Sequence, residues 1–292
     1  MAGVRWLRHN RVAILDDPYI DPRTGILRNK AGFATQKELD GFEAEQTWLR
    51  LLQLAANPIP GNFDAAHFQA IHRFIFQDVY VWAGELRTVN APKIEGSRAT
   101  HFTSCREIAV ELHSVCDRLA ADGILCGLTR KTFVVKAAAL LGGLNHIHCF
   151  REGNGRAQKC FLEVLALYAG HSLDFSLASK ERMIAASIAY EAGNPAPMEH
   201  LLADLADPAK RRQLSEAIEF FESQRYDWQR RELACVQPGN NYYGQLVGRN
   251  GDDLLFHDGR QGNWIGSRED AGHELRSGEW FTYRAHPEAQ SE

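Results

Sequence analysis

The sequence predicts a mainly α-helical protein: a helical core carrying a short β-hairpin, then a helical linker, then a small C-terminal β-barrel-like domain. Three observations lead there. Apolar residues recur at three- and four-residue spacing through most of the chain up to Leu205, and one polar, glycine-rich turn separates two of these patterns. After Pro238-Gly239 the helical spacing gives way to short extended runs between glycine and aspartate turns.

A chain of 292 residues has room for a core domain of roughly 200 residues and a small second one. With 45% hydrophobic and 24% charged residues and a net charge of −4, the composition is that of an ordinary globular protein, too acidic overall for a nucleic-acid coat. Met1 to Leu15 contains Arg5, Arg8 and Arg11 but no continuous apolar run, so neither a secretory signal nor a membrane span is expected there. Folding in the cytoplasm follows as the expectation, and export by a specialised secretion machine would leave no trace at this level. The six cysteines form no CxxC pair and read as reduced thiols.

Asp17 to Lys30, with Pro18, Pro22 and Gly25 at turn positions, reads as an irregular opening segment. Thr35 to Ala55 has helical spacing through Leu39, Phe42, Trp48, Leu51 and Leu52, and Pro58 and Pro60 end that helix. His67 to Phe76 follows with apolar residues at 68, 71, 74 and 75, a packed core face. Between Asn90 and Phe102 the periodicity disappears, and Pro92, Gly96 and Ser97 allow a turn between two short extended pieces. Glu107 to Leu119 and Leu128 to Asn145 read as helices, the second leading into the polar turn.

That turn is His148-Cys149-Phe150-Arg151-Glu152-Gly153-Asn154-Gly155-Arg156. Phe133, Val134, Ala137, Ala138, Leu141 and Leu144 precede it at helical spacing, and Ala157, Cys160, Phe161, Val164, Leu165 and Tyr168 follow it. Gly153 and Gly155 let the backbone turn so that N–H groups gather in one concavity where the next helix begins. The first-turn N–H groups and the helix dipole favour an anion there, a phosphate chain being the natural occupant. Arg156 and Lys159 would add cationic contacts. A carboxylate at Glu152 beside phosphates implies a divalent cation between them, and Mg²⁺ suits one carboxylate, phosphate oxygens and water. His148 ends the preceding helix, and an imidazole, with a reference pKa of about 6.5, can take a hydroxyl proton near neutral pH. His146 and His148 could pair on zinc, but no third ligand accompanies them at metal-site spacing.

The run resembles the active-site motif of the Fic family, His-Pro-Phe-x-(Asp/Glu)-Gly-Asn-Gly-Arg-x-x-Arg, at His148, Phe150, Glu152, Gly153, Asn154, Gly155 and Arg156. It departs at Cys149, where the family usually has proline, and at Lys159, where it usually has a second arginine. Val79 to Val89 is a second local match, and the resemblance covers roughly residues 15 to 205. It implies an adenylyltransferase. ATP·Mg²⁺ would lie in the turn, with His148 as base, Glu152 on the metal, and Gly153, Asn154, Gly155, Arg156 and Lys159 holding the nucleotide. A Ser, Thr or Tyr hydroxyl of a target protein would enter along a β-hairpin flap, with residues near Lys93 and Phe102 touching the target by strand addition. By analogy Phe150 anchors the loop in the core. At position 159 the family's arginine contacts the γ-phosphate and pairs with an inhibitory glutamate; lysine keeps the charge and loses the bidentate fork.

The family's inhibitory (Ser/Thr)-x-x-x-Glu-(Gly/Asn) has no full match here. Ser187 to Glu191 is followed by Ala192, and Ser215 to Glu219 by Phe220. The resemblance therefore implies a separate, small antitoxin-like inhibitor, and a toxin or effector. Other phosphate-containing groups (UMP, phosphocholine, bare phosphate) and a catalytically weak binding module remain as alternatives.

Ser179 to Ala192 and Met198 to Leu205 complete the helical core. Asp207-Pro208 then caps a charged helix expected to run to about Leu233, with Leu214, Ile218, Phe221 and Trp228 on its apolar side, read as a solvated connection. The expected domains are thus 1–205, 206–236 and 237–292. Only the last, the barrel-like one, leaves nucleic acid open as a partner.

Overall fold

The computed structural model describes residues 17–90, 93–95, 98–100, 102–260, 262–271 and 274–286. The arginine-bearing start, Met1 to Leu15, lies outside them, as do Pro92, Gly96 and Ser97 of the expected turn. Two compact units share the chain. One runs to Ile124 and takes in Gly143–Leu165; the other comprises Leu125–Gly142 and the chain from Ala166 onward.

In the first unit, helix α1 (Gln36–Ala56) starts where the Thr35 hydroxyl accepts from the Glu38 N–H, and α2 (Ala65–Phe76) starts where the Asp64 carboxylate accepts from the His67 N–H. These helices pack together, and α3 (Ile108–Ala121) packs on α2. Of the expected packed face Phe68, Ile71 and Ile75 are buried, whereas Phe74 is only half-buried beneath the Arg50 guanidinium; Phe76 is buried as well, and Phe68 meets both Phe150 and Phe161. Between α2 and α3 lies the two-stranded antiparallel hairpin β1 (Lys93–Glu95) and β2 (Arg98–Thr100). Helix α4 (Arg130–Ile147), which belongs to this unit only from Gly143, leads into the polar turn, and α5 (Asn154–Tyr168), which belongs to it as far as Leu165, leaves it. The opening segment is a chain of turns with one bridge, Ile20 to Leu27.

In the second unit, α6 (Lys180–Glu191), α7 (Ala196–Ala206) and α8 (Pro208–Ser223) precede five strands: β3 (Glu232–Cys235), β4 (Asn241–Asn250), β5 (Asp253–His257), β6 (Gly262–Ser267) and β7 (Trp280–Arg284). The sheet order is β3-β6-β5-β4-β7, antiparallel except for β3 with β6. The ladder has β3 and β7 at its ends, so among the described strands no pairing closes the expected barrel-like form.

Two further expectations are corrected. The charged helix ends at Ser223, not near Leu233, and Arg225 beyond it takes a left-handed backbone conformation (φ 55°). That helix is no solvated connection, because Leu214, Ala217, Ile218 and Phe221 form one buried stripe and α8 packs on β3 and β6. The charged residues occupy its other side. Since β3 lies within residues 206–236, a division at 237 would cut the sheet from its first strand. Beneath that strand Asp204, fully buried, accepts from Arg182 at 2.7 Å and from the Cys235 N–H at 3.1 Å, with Lys210 at 3.1 Å. All six cysteines are free. Among the described residues no helix is long and apolar enough to cross a membrane.

Candidate active site

Helix α4 stops because the chain turns sharply at its end. The His148 N–H still donates to the Leu144 carbonyl at 3.1 Å, but His148 itself is left-handed (φ 48°), a region that non-glycine residues seldom occupy. Cys149 and Phe150 then enter the core, burial raising the pKa of the Cys149 thiol. The Phe150 ring stacks on His72 at 3.7 Å, so the anchoring expected of Phe150 has a visible partner. Asn154 closes the loop: its Oδ1 accepts from the Phe150 N–H at 2.9 Å and its Nδ2 donates to the Phe150 carbonyl at 2.8 Å. The side chain of Asn154 is thereby spent on the turn, which leaves its backbone N–H for an anion. Gly153 has φ 83°, and a Cβ there would stand 2.1 Å from the Phe76 ring. Gly155 is different, lying in the first turn of α5 with open space around it.

Glu152 has a 45% exposed side chain, and its Oε1 accepts from the Gly153 N–H at 2.9 Å. Its carbonyl is held from behind by His72. The His72 Nδ1 accepts from the Gly84 N–H at 2.8 Å, so its Nε2–H is the proton donated to the Glu152 carbonyl at 2.9 Å. Burial pulls the His72 pKa down to about 4, which keeps this tautomer neutral.

Arg156 is set by helix α1. It donates to Glu43 at 2.5 Å and Thr47 at 3.2 Å, lies 3.6 Å from Glu152, and rests 4.6 Å over the Phe76 ring. Tyr80 donates its hydroxyl proton to the other oxygen of Glu43, and burial followed by that carboxylate raises the Tyr80 pKa. Lys159, one turn farther along α5, is half-buried; burial lowers its pKa, against the pull of Glu163.

The hairpin returns to the turn at Phe102, whose ring lies parallel to that of His148 at 3.9 Å with a 7° tilt. The backbone of Lys93 pairs with Thr100, while its side chain is outside what is described. His146 is exposed, and its carbonyl accepts from the Thr103 N–H at 3.2 Å.

One unit therefore gathers His148, Phe102, Glu152, Gly153, Asn154, Gly155, Arg156 and Lys159. Reading the sequence alone missed Glu43, Thr47, His72, Tyr80 and Arg87. Arg87 lies in the second local match, a signal that could have drawn attention to it; Glu43 looks no different from Glu45 until the helices pack. Among the described residues no three His, Cys, Asp or Glu side chains come together as a metal site. One half-exposed carboxylate at a helix start fits a cation shared with phosphate oxygens, not a protein-enclosed one.

An imidazole, a helix N-terminus and a hairpin, held within one helical unit, define a scaffold that can receive an anionic group beside the imidazole. The chain belongs to the Fic/DOC family, whose profile matches residues 62–166. The type IV secretion system effector protein BepA superposes with a TM-score of 0.85 at 31% identity, covering 94% of this chain and 97% of that one. A protein adenylyltransferase of Bartonella henselae is 35% identical over 245 residues, 79% of this chain and 44% of that protein. The chain thus spans less than half of that relative's length. The BepC protein of Bartonella tribocorum, solved with bound AMPPNP, has a TM-score of 0.61 at 32% identity over 65% of this chain and 96% of that one.

Proposed function

We propose that this protein is an adenylyltransferase that moves AMP from ATP to a Ser, Thr or Tyr hydroxyl of a target protein docked along the β1–β2 flap. The observation that carries the reading is the stack of Phe102 on His148 at the mouth of a turn that opens into the N-terminus of α5. The named activity of the Bartonella henselae relative and the AMPPNP in BepC support it.

In this reading His148 removes the target hydroxyl proton as the oxygen bonds to the α-phosphorus. The bond from that phosphorus to the bridging oxygen breaks, and pyrophosphate leaves. The N–H groups at the start of α5 have no carbonyl one turn earlier to bind, so they receive the phosphate oxygens, with Arg156 and Lys159 adding charge. The open space at Gly155 lets phosphate approach the backbone. Glu152 would hold Mg²⁺, which when bound would supply neutralisation of the phosphate charge. Thr47 and Glu43 keep Arg156 from collapsing onto Glu152 alone. The likeness to BepA supports an effector or toxin role, and the lack of a full inhibitory motif supports control by a separate antitoxin-like protein. The deciding experiment is mass spectrometry of proteins modified in the presence of ATP, UTP, CDP-choline or GTP, each with Mg²⁺. An added AMP from ATP alone is expected; UMP, phosphocholine or bare phosphate on the product would refute it.

A further inference from the structure

Arg87 is among the largest fully buried side chains, yet among the described residues its hydrogen bonds all end on backbone carbonyls. Its Nε donates to the His148 carbonyl at 2.8 Å and its Nη2 to the Ile147 carbonyl at 3.2 Å. The same Nη2 reaches the Thr103 carbonyl, and Nη1 reaches the Val89 carbonyl at 2.8 Å. Its backbone N–H donates to the Cys149 carbonyl at 2.8 Å. Three consecutive carbonyls of the turn, Ile147 to Cys149, are thus held by this one residue.

The other two acceptors flank the hairpin. Val89 lies just before β1 and Thr103 just after β2, and the base of the hairpin is closed again where the Cys105 N–H donates to Asn90 Oδ1 at 2.8 Å. We propose that Arg87 is a positioning residue, whose planar fork fixes the flap and the His148 backbone relative to each other so that the imidazole faces the entering hydroxyl. The assignment rests on the adenylyltransferase reading for its functional consequence.

Two physical facts require such a clamp. His148 is held in a left-handed conformation that it would leave if its neighbours allowed. The last carbonyls of α4 also carry the negative end of the helix dipole, which a guanidinium complements. Burial without a carboxylate is costly for a charge, and only several carbonyl dipoles converging on the fork offset it. A lysine has the charge but one donor centre, too few directions to bridge both ends of the hairpin and the turn.

The test uses the full chain as wild type, Arg87→Lys and Arg87→Gln. Folding is followed by circular dichroism, ATP·Mg²⁺ binding by calorimetry, and pyrophosphate release from ATP·Mg²⁺ with water as the acceptor. The imidazole resonance of His148 is followed by NMR, identified by its loss in His148→Ala. In at least one folded variant kcat should fall about tenfold or more while KM and Kd for ATP stay within about threefold, and the His148 resonance should move. An unmoved resonance with unchanged kcat overturns the assignment. So does loss of helical circular dichroism in both variants, which would make Arg87 a folding residue only. If the wild type releases no pyrophosphate to water, the resonance alone decides whether Arg87 sets the imidazole, and the adenylyltransferase reading stands or falls separately on label transfer from α-labelled ATP to protein.

Discussion

The Phe102 ring lies flat against the His148 imidazole, 3.9 Å away and tilted by 7°, so the end of the hairpin and the start of the polar turn share one surface. An aromatic stack of this kind contributes about 0.5–1.5 kcal/mol. Phe102→Ala should therefore lower the unfolding free energy by no more than about 2 kcal/mol. Because the ring also limits where the imidazole can point, labelled AMP transfer should fall by about tenfold, less than in His148→Ala. Chemical denaturation and transfer from α-labelled ATP measure the two effects; transfer at the wild-type rate would remove Phe102 from the site.

The two glycines of the turn should behave differently. Gly153→Ala places a methyl in the Phe76 ring and forces a left-handed alanine, so a loss of roughly 2–4 kcal/mol is expected. Gly155→Ala meets nothing and lies in a helix, where alanine is favoured by about 0.5–1 kcal/mol. The second variant should melt no lower than wild type yet bind ATP·Mg²⁺ several-fold more weakly, since the methyl enters the space offered to phosphate. Calorimetry on both variants checks this, and equal melting losses would contradict it.

The turn was legible in the sequence because its chemistry is contiguous: histidine, carboxylate, glycines and cations fall within a dozen residues between two periodic helices. Its supports were not. Glu43 meets Arg156 across more than a hundred residues, and His72 meets the Glu152 carbonyl across eighty, so no local pattern connects them. Core helices were found within one or two residues of their ends, because buried faces fix their period. The α8 stripe was visible too, but with charges so dense on its other face its burial could only be learned from the sheet it packs on. Strand β3 is four residues long and pairs with a strand about thirty residues later, which leaves no hairpin signature to read.

Asp204 offers a stability test in the second unit. It is fully buried against Arg182, itself almost fully buried, with Lys210 and the neutral His200 beside it; against the cost of burial, the Arg182 and Lys210 charges hold its carboxyl below the usual range. Asp204→Ala strands the Arg182 charge and should cost about 3–5 kcal/mol. Asp21→Ala breaks a solvent-screened pair with Arg23 and should shift the midpoint far less. Denaturant midpoints of the two variants give the comparison; similar values would refute it.

Acid should weaken the first unit through His72. In the folded protein this imidazole stays neutral down to about pH 4, whereas an unfolded histidine takes its proton near 6.5. The unfolded chain therefore binds the extra proton first, and stability present above pH 6.5 is lost as pH falls toward 4, by on the order of 3 kcal/mol. His200, also pulled down to about 4 by burial, adds a loss of the same sign in the second unit. His72→Gln should be less stable than wild type at pH 7 and lose less between pH 6.5 and 4. Urea melts across that range measure the slopes; parallel slopes would contradict the assignment.

The most direct measurement is label transfer from ATP carrying ³²P at the α or the γ position, in wild type and His148→Ala. Label should reach protein from the α position only, and fall by about 10²–10⁴-fold in His148→Ala while ATP·Mg²⁺ binding changes by less than about threefold. Undiminished α-label transfer in that variant, or label arriving from the γ position, would contradict the account.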